Sequence, residues 1–345
     1  MRLAAFIIVL LVLAGAAVYA ALNSFNYFDH IERSFAGQCT PVTGIAGPED
    51  IQIDAARSRV FISSRDRRTK ESRGAIHVFD IANPLSAEGW RDMTMGRPTK
   101  FKPLGLDYYE DDDVRRLFVV NEAGKSVEMF DVKNDGMLVH LETFSEPRLT
   151  SPNNVVAVGR RSFYVTNDVQ PGRNTRIGRI QFLTRRASGQ VFFTNGASWR
   201  VAAEGLRFAN GIEASADGAR IYVAETAGGA IKVYDRDLET DVLSLVQTIR
   251  LDASPDNITV DDAGALWVAA LPQPLSLPAH AGNPKKYAPS EVIRIGADGA
   301  PRTVYRDDGR ELSAATTAAR LGGTLIIGAL YDEKFLICDL PAGEI

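Results

Sequence analysis

Apolar residues fall into two regimes along this chain. The first is one unbroken, uncharged run from Leu3 to Leu22, directly behind Met1 and Arg2. The second begins after Gln38, where Val, Ile, Phe and Tyr gather in runs of strand length bounded by Gly, Asp and Asn, the pattern of short β-strands and turns. These strands recur as pairs. Arg59–Ser63 pairs with Ala75–Asp80, Leu117–Asn121 with Val127–Asp131, and Ser162–Thr166 with Gly178–Phe182. Arg220–Ala224 pairs with Ala230–Asp235, Ala265–Ala269 with Glu291–Ile295, and Thr324–Gly328 with Lys334–Cys338. The copies repeat at roughly 45 to 60 residues, a spacing that suits one four-stranded blade each. The pattern predicts an all-β fold, a six-bladed β-propeller over 38–345. A β-sandwich of many hairpins competes with it, and the near-constant spacing favours the ring.

The N-terminal run, about 20 residues, is long enough to cross a bilayer as a helix. A cleaved signal peptide usually has a shorter apolar core, although Val18-Tyr19-Ala20 offers a cleavage site. Residues 1–22 are expected to be a signal-anchor or transmembrane helix, followed by a stalk over 23–37. The propeller is then membrane-anchored on the periplasmic or extracellular side, or secreted if the run is removed. In such a compartment disulfides persist. The chain has two cysteines, Cys39 just before the first repeat and Cys338 in the last strand of the last. A bond between them would lock both chain ends into one blade, and it is expected here. Net charge is −4 with no clustered basic excess, so no nucleic-acid partner is expected.

Propeller sites lie on the central axis, so each blade is able to contribute a residue at an equivalent place. Glu49-Asp50 precedes Ile51-Gln52-Ile53, Asn153-Asn154 precedes Val155–Val158, Asn210-Gly211 precedes Ile212, and Asp256-Asn257 precedes Ile258. The second unit has the apolar Pro103-Leu104-Gly105-Leu106 there. Any one such pair is ordinary turn chemistry; four in register across repeats form a pattern. Carboxylate and amide oxygens without Cys or His are what a hard cation such as Ca²⁺ requires, and the ion would polarise a carbonyl. Histidine is scarce: His30 falls in the stalk, His77 and His140 in strands, and His280 in a Pro-rich insertion over 272–289 that is expected to cap the site as a mobile loop. With no G-x-S-x-G elbow, a serine hydrolase is not expected.

These motifs, taken in order, resemble the paraoxonase/arylesterase family from about Cys39 to Leu340. The resemblance is carried by Gly47-Pro48-Glu49-Asp50, Ser151–Gly159, Phe163–Asp168, Ala203-Glu204-Gly205, Phe208–Ile212, Asp256-Asn257-Ile258 and Pro289–Val292. The gluconolactonase and regucalcin group is a more distant likeness. The resemblance implies a propeller with one or two Ca²⁺ ions. Glu49, Asn153, Asn210, Asp256 and Asn257 would hold the catalytic ion; Asp50, Asn154 and the carbonyl of Leu106 would hold the structural one. It also supports the Cys39–Cys338 bond and an uncleaved N-terminus. This chain departs from the family at Asn154, where the family has Asp, and at Leu104 and Glu122, where mammalian members carry a histidine dyad. It departs again at Ala270 and Leu271, which replace a cysteine and a histidine. The expected activity is calcium-dependent hydrolysis of lactones or aryl esters, with Glu49 or Asp256 activating water and Glu122 a weaker candidate base. A non-catalytic, calcium-stabilised binding propeller is the alternative. Strictosidine-synthase-like chemistry, a third reading, is disfavoured by Glu49, Asn210 and Asp256.

Overall fold

Strands such as Leu117–Asn121 carry apolar residues on both faces, because each sheet must pack against a neighbour on either side. A computed structural model, which describes residues 2–81 and 91–343, has this arrangement. Six sheets form six blades around an axis, all antiparallel except where the short strand Thr94–Met95 joins the second blade in parallel. Phe118 and Val120 pack toward the third blade, while Leu117 and Val119 pack toward the first. Six apolar clusters of this kind, one per junction between adjacent blades, make up the main core. The fold is therefore the expected six-bladed all-β propeller. Met1 of the expected anchor and the last two residues of the expected 38–345 domain lie outside the described residues.

The innermost strands are Pro48–Asp54, Pro103–Asp111, Pro152–Ala157, Ala209–Ala214, Ser254–Val260 and Ala315–Leu321. Each neighbours the next, and the last returns to the first. The ring closes through the last blade. There Gln38–Thr43 pairs antiparallel with Lys334–Asp339, placing Cys39 directly opposite Cys338, and the two are disulfide-bonded.

One expected strand is a helix. Gly178–Phe182 lies within α2, Arg176–Leu183, and the true partner of Phe163–Asn167 is Gly189–Thr194. The alternation Gly-Arg-Ile-Gln-Phe reads as a strand, but Thr175 caps the segment by accepting from the Gly178 N–H, and Ile177, Ile180 and Leu183 share the 3–4 spacing of a helix face. The insertion expected as a mobile loop likewise contains an ordered short helix, Leu277–Gly282. Its His280 is buried, receiving a hydrogen bond from Arg68 at 3.1 Å and donating to the Lys286 carbonyl at 2.7 Å.

The N-terminal run is a helix over Arg2–Asn23, and Ala5–Asn23 is long and apolar enough to cross a membrane, with none of it buried. The segment that follows is tied to the propeller. Phe25 is buried against Phe182, Asn26 donates to the Asp252 carbonyl at 2.6 Å, and Ser34 bridges to Arg306.

Candidate functional site

In every innermost strand the pairing with its neighbour slips at one place. The slips fall between Pro48 and Asp50, Pro103 and Leu106, Pro152 and Val155, Ala209 and Ile212, Pro255 and Ile258, and Ala315 and Thr317. Five of the six slips hold residues singled out in the sequence; the sixth holds Thr316. A bulge frees a residue from the strict alternation of the ladder and re-aims its side chain, so consecutive residues are able to serve the axis. The first layer is Glu49, Leu104, Asn153, Asn210, Asp256 and Thr316; the second is Asp50, Gly105, Asn154, Gly211, Asn257 and Thr317. Glycine is required where the second layer is crowded. A Cβ on Gly105 would lie 2.3 Å from Asn154, and one on Gly211 would lie 2.5 Å from the Asp256 carbonyl oxygen.

Glu49, Asn153, Asn210 and Asp256 come together at the floor of one cavity of about 530 Å³. All four are buried. Three of their oxygens, Glu49 Oε2, Asn153 Oδ1 and Asn210 Oδ1, have no hydrogen-bond partner. The amides face this way because their nitrogens are engaged elsewhere: Asn210 Nδ2 donates to Thr226 Oγ1 at 2.9 Å and Asn153 Nδ2 to Asp168 Oδ2 at 3.5 Å. Buried oxygens without donors are costly unless a cation joins them. The two carboxyls sharpen the point. Burial raises the Glu49 carboxyl above its ordinary range. Burial, then the charge of Glu49, holds Asp256 well above its own. The cation paired with Glu49 is Arg67, at 4.0 Å, and that guanidinium already serves the carbonyls of Gly47 and Pro103. Among the described residues no three His, Cys, Asp or Glu side chains gather as a metal cluster; the donor set here is two carboxylates and two amides, which suits calcium.

The second layer is different. Asp50 Oδ2 accepts from Leu106 N at 2.9 Å and Asn154 Nδ2 at 3.2 Å, and Asp50 Oδ1 accepts from Ile51 N at 3.0 Å. Asn154 Nδ2 also donates to Asn257 Oδ1 at 2.8 Å. The Asn154 amide nitrogen thus sits where Asp50 and Asn257 present oxygen. Leu106 turns its N–H, rather than its carbonyl, to Asp50. Asn257 Nδ2 in turn approaches Glu49 Oε1 at 3.4 Å, so Asn257 braces Glu49.

Leu104, Phe182, Phe208, Leu271, Leu277 and Leu330 form most of the apolar wall above this floor. Glu122 stands apart, in an ion pair with Arg65 at 3.1 Å. Burial pushes its carboxyl up, but Arg173, Arg65 and Arg67 outweigh burial and leave it below its usual range, the wrong direction for a base. Four contributors were not singled out from sequence: Asp168 and Thr226, which orient the two amides; Thr316, whose hydroxyl donates to the Glu49 carbonyl at 2.7 Å; and Arg173, paired with Asp168 at 2.8 Å. The Asn167-Asp168 and Glu225-Thr226 pairs at equivalent strand ends were the available signal.

Fold and site together define a six-bladed propeller with an oxygen-lined axial centre beneath an apolar cavity. Solved structures share the fold: a gluconolactonase from Xanthomonas campestris (TM-score 0.56, 17% identity, covering 91% of this chain and 95% of that one) and the calcium-binding protein regucalcin from Agrobacterium tumefaciens (TM-score 0.53, 13%, covering 87% and 93%). In sequence, the arylesterase family model matches residues 68–340. Serum paraoxonase/arylesterase 2 of Gallus gallus is 31% identical over 345 residues, covering 95% of this chain and 96% of the relative. Serum paraoxonase/arylesterase 1 of Homo sapiens is 31% identical over 321 residues, covering 88% of each. The chain belongs to the arylesterase family and is a hydrolase of esters or lactones.

Proposed function

We propose that this protein is a calcium-dependent hydrolase of lactones and aryl esters, with its centre at Glu49, Asn153, Asn210 and Asp256. The observation that carries the reading is the set of three partnerless buried oxygens, brought by three different blades to the floor of one apolar cavity. The family relationship and the calcium-binding fold neighbour support it. When bound there, calcium supplies a Lewis acid for the substrate carbonyl and a counter-charge for the developing oxyanion.

The chain's own residues do the rest. Leu104, Phe208, Leu271 and Leu277 take the acyl or aryl group and keep bulk water from the floor. Asp168 and Thr226 hold the Asn153 and Asn210 amides with their oxygens toward the centre. Glu49 Oε2 or the Asp256 carboxylate accepts the proton of the attacking water. Glu49 is the better placed of the two, because Asn257 Nδ2 and the Thr316 contact to its backbone fix its position. The second layer favours a single ion, since Asn154 already satisfies Asp50 and Asn257. The helix Arg2–Asn23 anchors the propeller outside the cytoplasm.

The test is turnover of phenyl acetate and of a δ-lactone, with and without a calcium chelator. Chelator is expected to abolish turnover and excess calcium to restore it. Asp256→Ala is expected to lose at least a hundredfold in kcat/KM (about 2.7 kcal/mol) while circular dichroism still reports an intact propeller. Turnover that persists in chelator, or in the variant, rejects the assignment.

A further inference from the structure

A second cavity, about 590 Å³, opens beside the first and shares Leu104, Arg173, Leu330 and Tyr331 with it. Its chemistry is the opposite. Arg65, Arg67, Arg68, Lys70, Lys102 and Arg173 line it, against one carboxylate, Glu122. The chain as a whole carries a net charge of −4, so this concentration of cations is local. The charge is also incompletely used. Arg67 donates to the neutral carbonyls of Gly47 and Pro103, and Arg68 to those of Tyr331 and His280. Glu122 forms an ion pair with Arg65 at 3.1 Å, and the Lys102 ammonium donates to the Lys70 carbonyl at 3.0 Å. Arg67 and Arg173 connect this wall to the reaction floor, through Glu49 at 4.0 Å and Asp168 at 2.8 Å.

Six cationic side chains lining one cavity with a single lining carboxylate repel one another, and an anion entering there relieves that repulsion. Planar guanidiniums are suited to carboxylate or phosphate oxygens. We infer that the second cavity is an anion subsite, so that the substrate is an ester or lactone bearing a carboxylate or phosphate group in addition to its apolar part. The apolar part lies against Phe208 and Leu271, the scissile carbonyl lies over the floor, and the anionic group lies among Arg65, Lys102 and Arg173. This rests on the hydrolase reading for its reacting centre, but the subsite is measurable without turnover.

The experiment uses non-hydrolysable anilides and the full-length, calcium-loaded chain in detergent. Hexananilide is the neutral probe, adipic acid monoanilide the carboxylate and 6-phosphonohexananilide the phosphate mimic, each titrated calorimetrically. At least one acid is expected to bind about tenfold or more tightly than the neutral probe, in line with a charge-assisted hydrogen bond, and the tighter acid identifies the group. The preference is expected to shrink with added salt and to disappear in Arg65→Gln/Lys102→Gln. Lys102→Gln alone, a change at a partly exposed side chain, is expected to lose part of it. Equal binding of all three probes overturns the subsite, as does a preference that survives the double variant. Phenyl acetate turnover in the same samples is read separately. Its absence in the unmodified chain refutes the hydrolase centre and leaves the binding comparison to judge the subsite.

Discussion

At the scale of single residues, the decisive atom is Asn154 Nδ2. It donates to Asp50 and to Asn257, occupying the place between two oxygens. Asn154→Asp replaces that donor with a carboxylate and leaves oxygens facing one another, an arrangement that binds a cation or fails to fold well. The expected outcome is a rise in bound calcium from one ion to two per chain, measured as metal content after equilibrium dialysis. With calcium withheld, the variant should lose about 3 kcal/mol or more to the uncompensated buried charge, seen in denaturant unfolding. An unchanged stoichiometry rejects the account of the second layer. The Asn-for-Asp difference was legible in the sequence, and so was its electrostatic direction. The hydrogen bonds among these side chains were not, because Asp50, Asn154 and Asn257 meet only through the closed ring.

At the scale of elements, the innermost strands do two things at once. Their bulges carry the candidate site, and their regular parts hold further acids, Asp107 buried and Glu213 half-buried. Glu213 accepts from Gln52 Nε2 at 3.1 Å, and Asp107 accepts from the Ala157 N–H at 2.7 Å. Burial pushes the Glu213 carboxyl from 4.5 up to about 7, and Asp107 is raised well above its ordinary range by burial and then by Glu213. For an acid raised in this way, the folded state keeps a proton that the unfolded chain has lost. Its contribution is therefore full below pH 4.5 and declines as pH climbs toward about 7. Unfolding free energy should fall with rising pH across this window, and Glu213→Gln should flatten the slope; an identical slope in the variant removes Glu213 as the cause. Strand periodicity was readable for five of the six expected pairs. It failed at Gly178–Phe182 because five alternating residues satisfy the strand pattern, while the Thr175 cap and the close approach of Gly178 to the Gly172 carbonyl decide for a helix.

For the molecule as a whole, closure is the weak point of any ring. Gln38–Thr43 must travel to the far end of the chain to complete the last blade, and the Cys39–Cys338 bond ties it there across 299 residues. In the chain-entropy account, a loop of that length contributes on the order of 5 kcal/mol by restricting the unfolded state. Cys39→Ser/Cys338→Ser is expected to lower the thermal midpoint markedly while leaving the folded spectrum unchanged. An unaltered midpoint shows that strand pairing alone secures the ring. The N-terminal helix is positioned by the fold as well: Phe25 packs on Phe182, so the helix leaves the propeller beside the mouth of the apolar cavity rather than from its outer rim.

Local periodicity and repeat spacing were enough to announce an apolar N-terminal helix, short strands in six copies and polar pairs in register, since each depends on neighbours within a few residues. The cysteines at the two ends of the repeat array similarly announced their bond. What the linear order leaves undecided is where side chains point once the strands bulge. Asn257 and Glu49 stand 208 positions apart and touch; Arg65, Lys102 and Arg173 come from separate stretches of chain to line one basin. Only closure of the ring brings such groups within a few ångströms. At that range desolvation and charge, rather than residue type, decide which buried oxygens are left without a donor and which carboxyls are held away from their ordinary range.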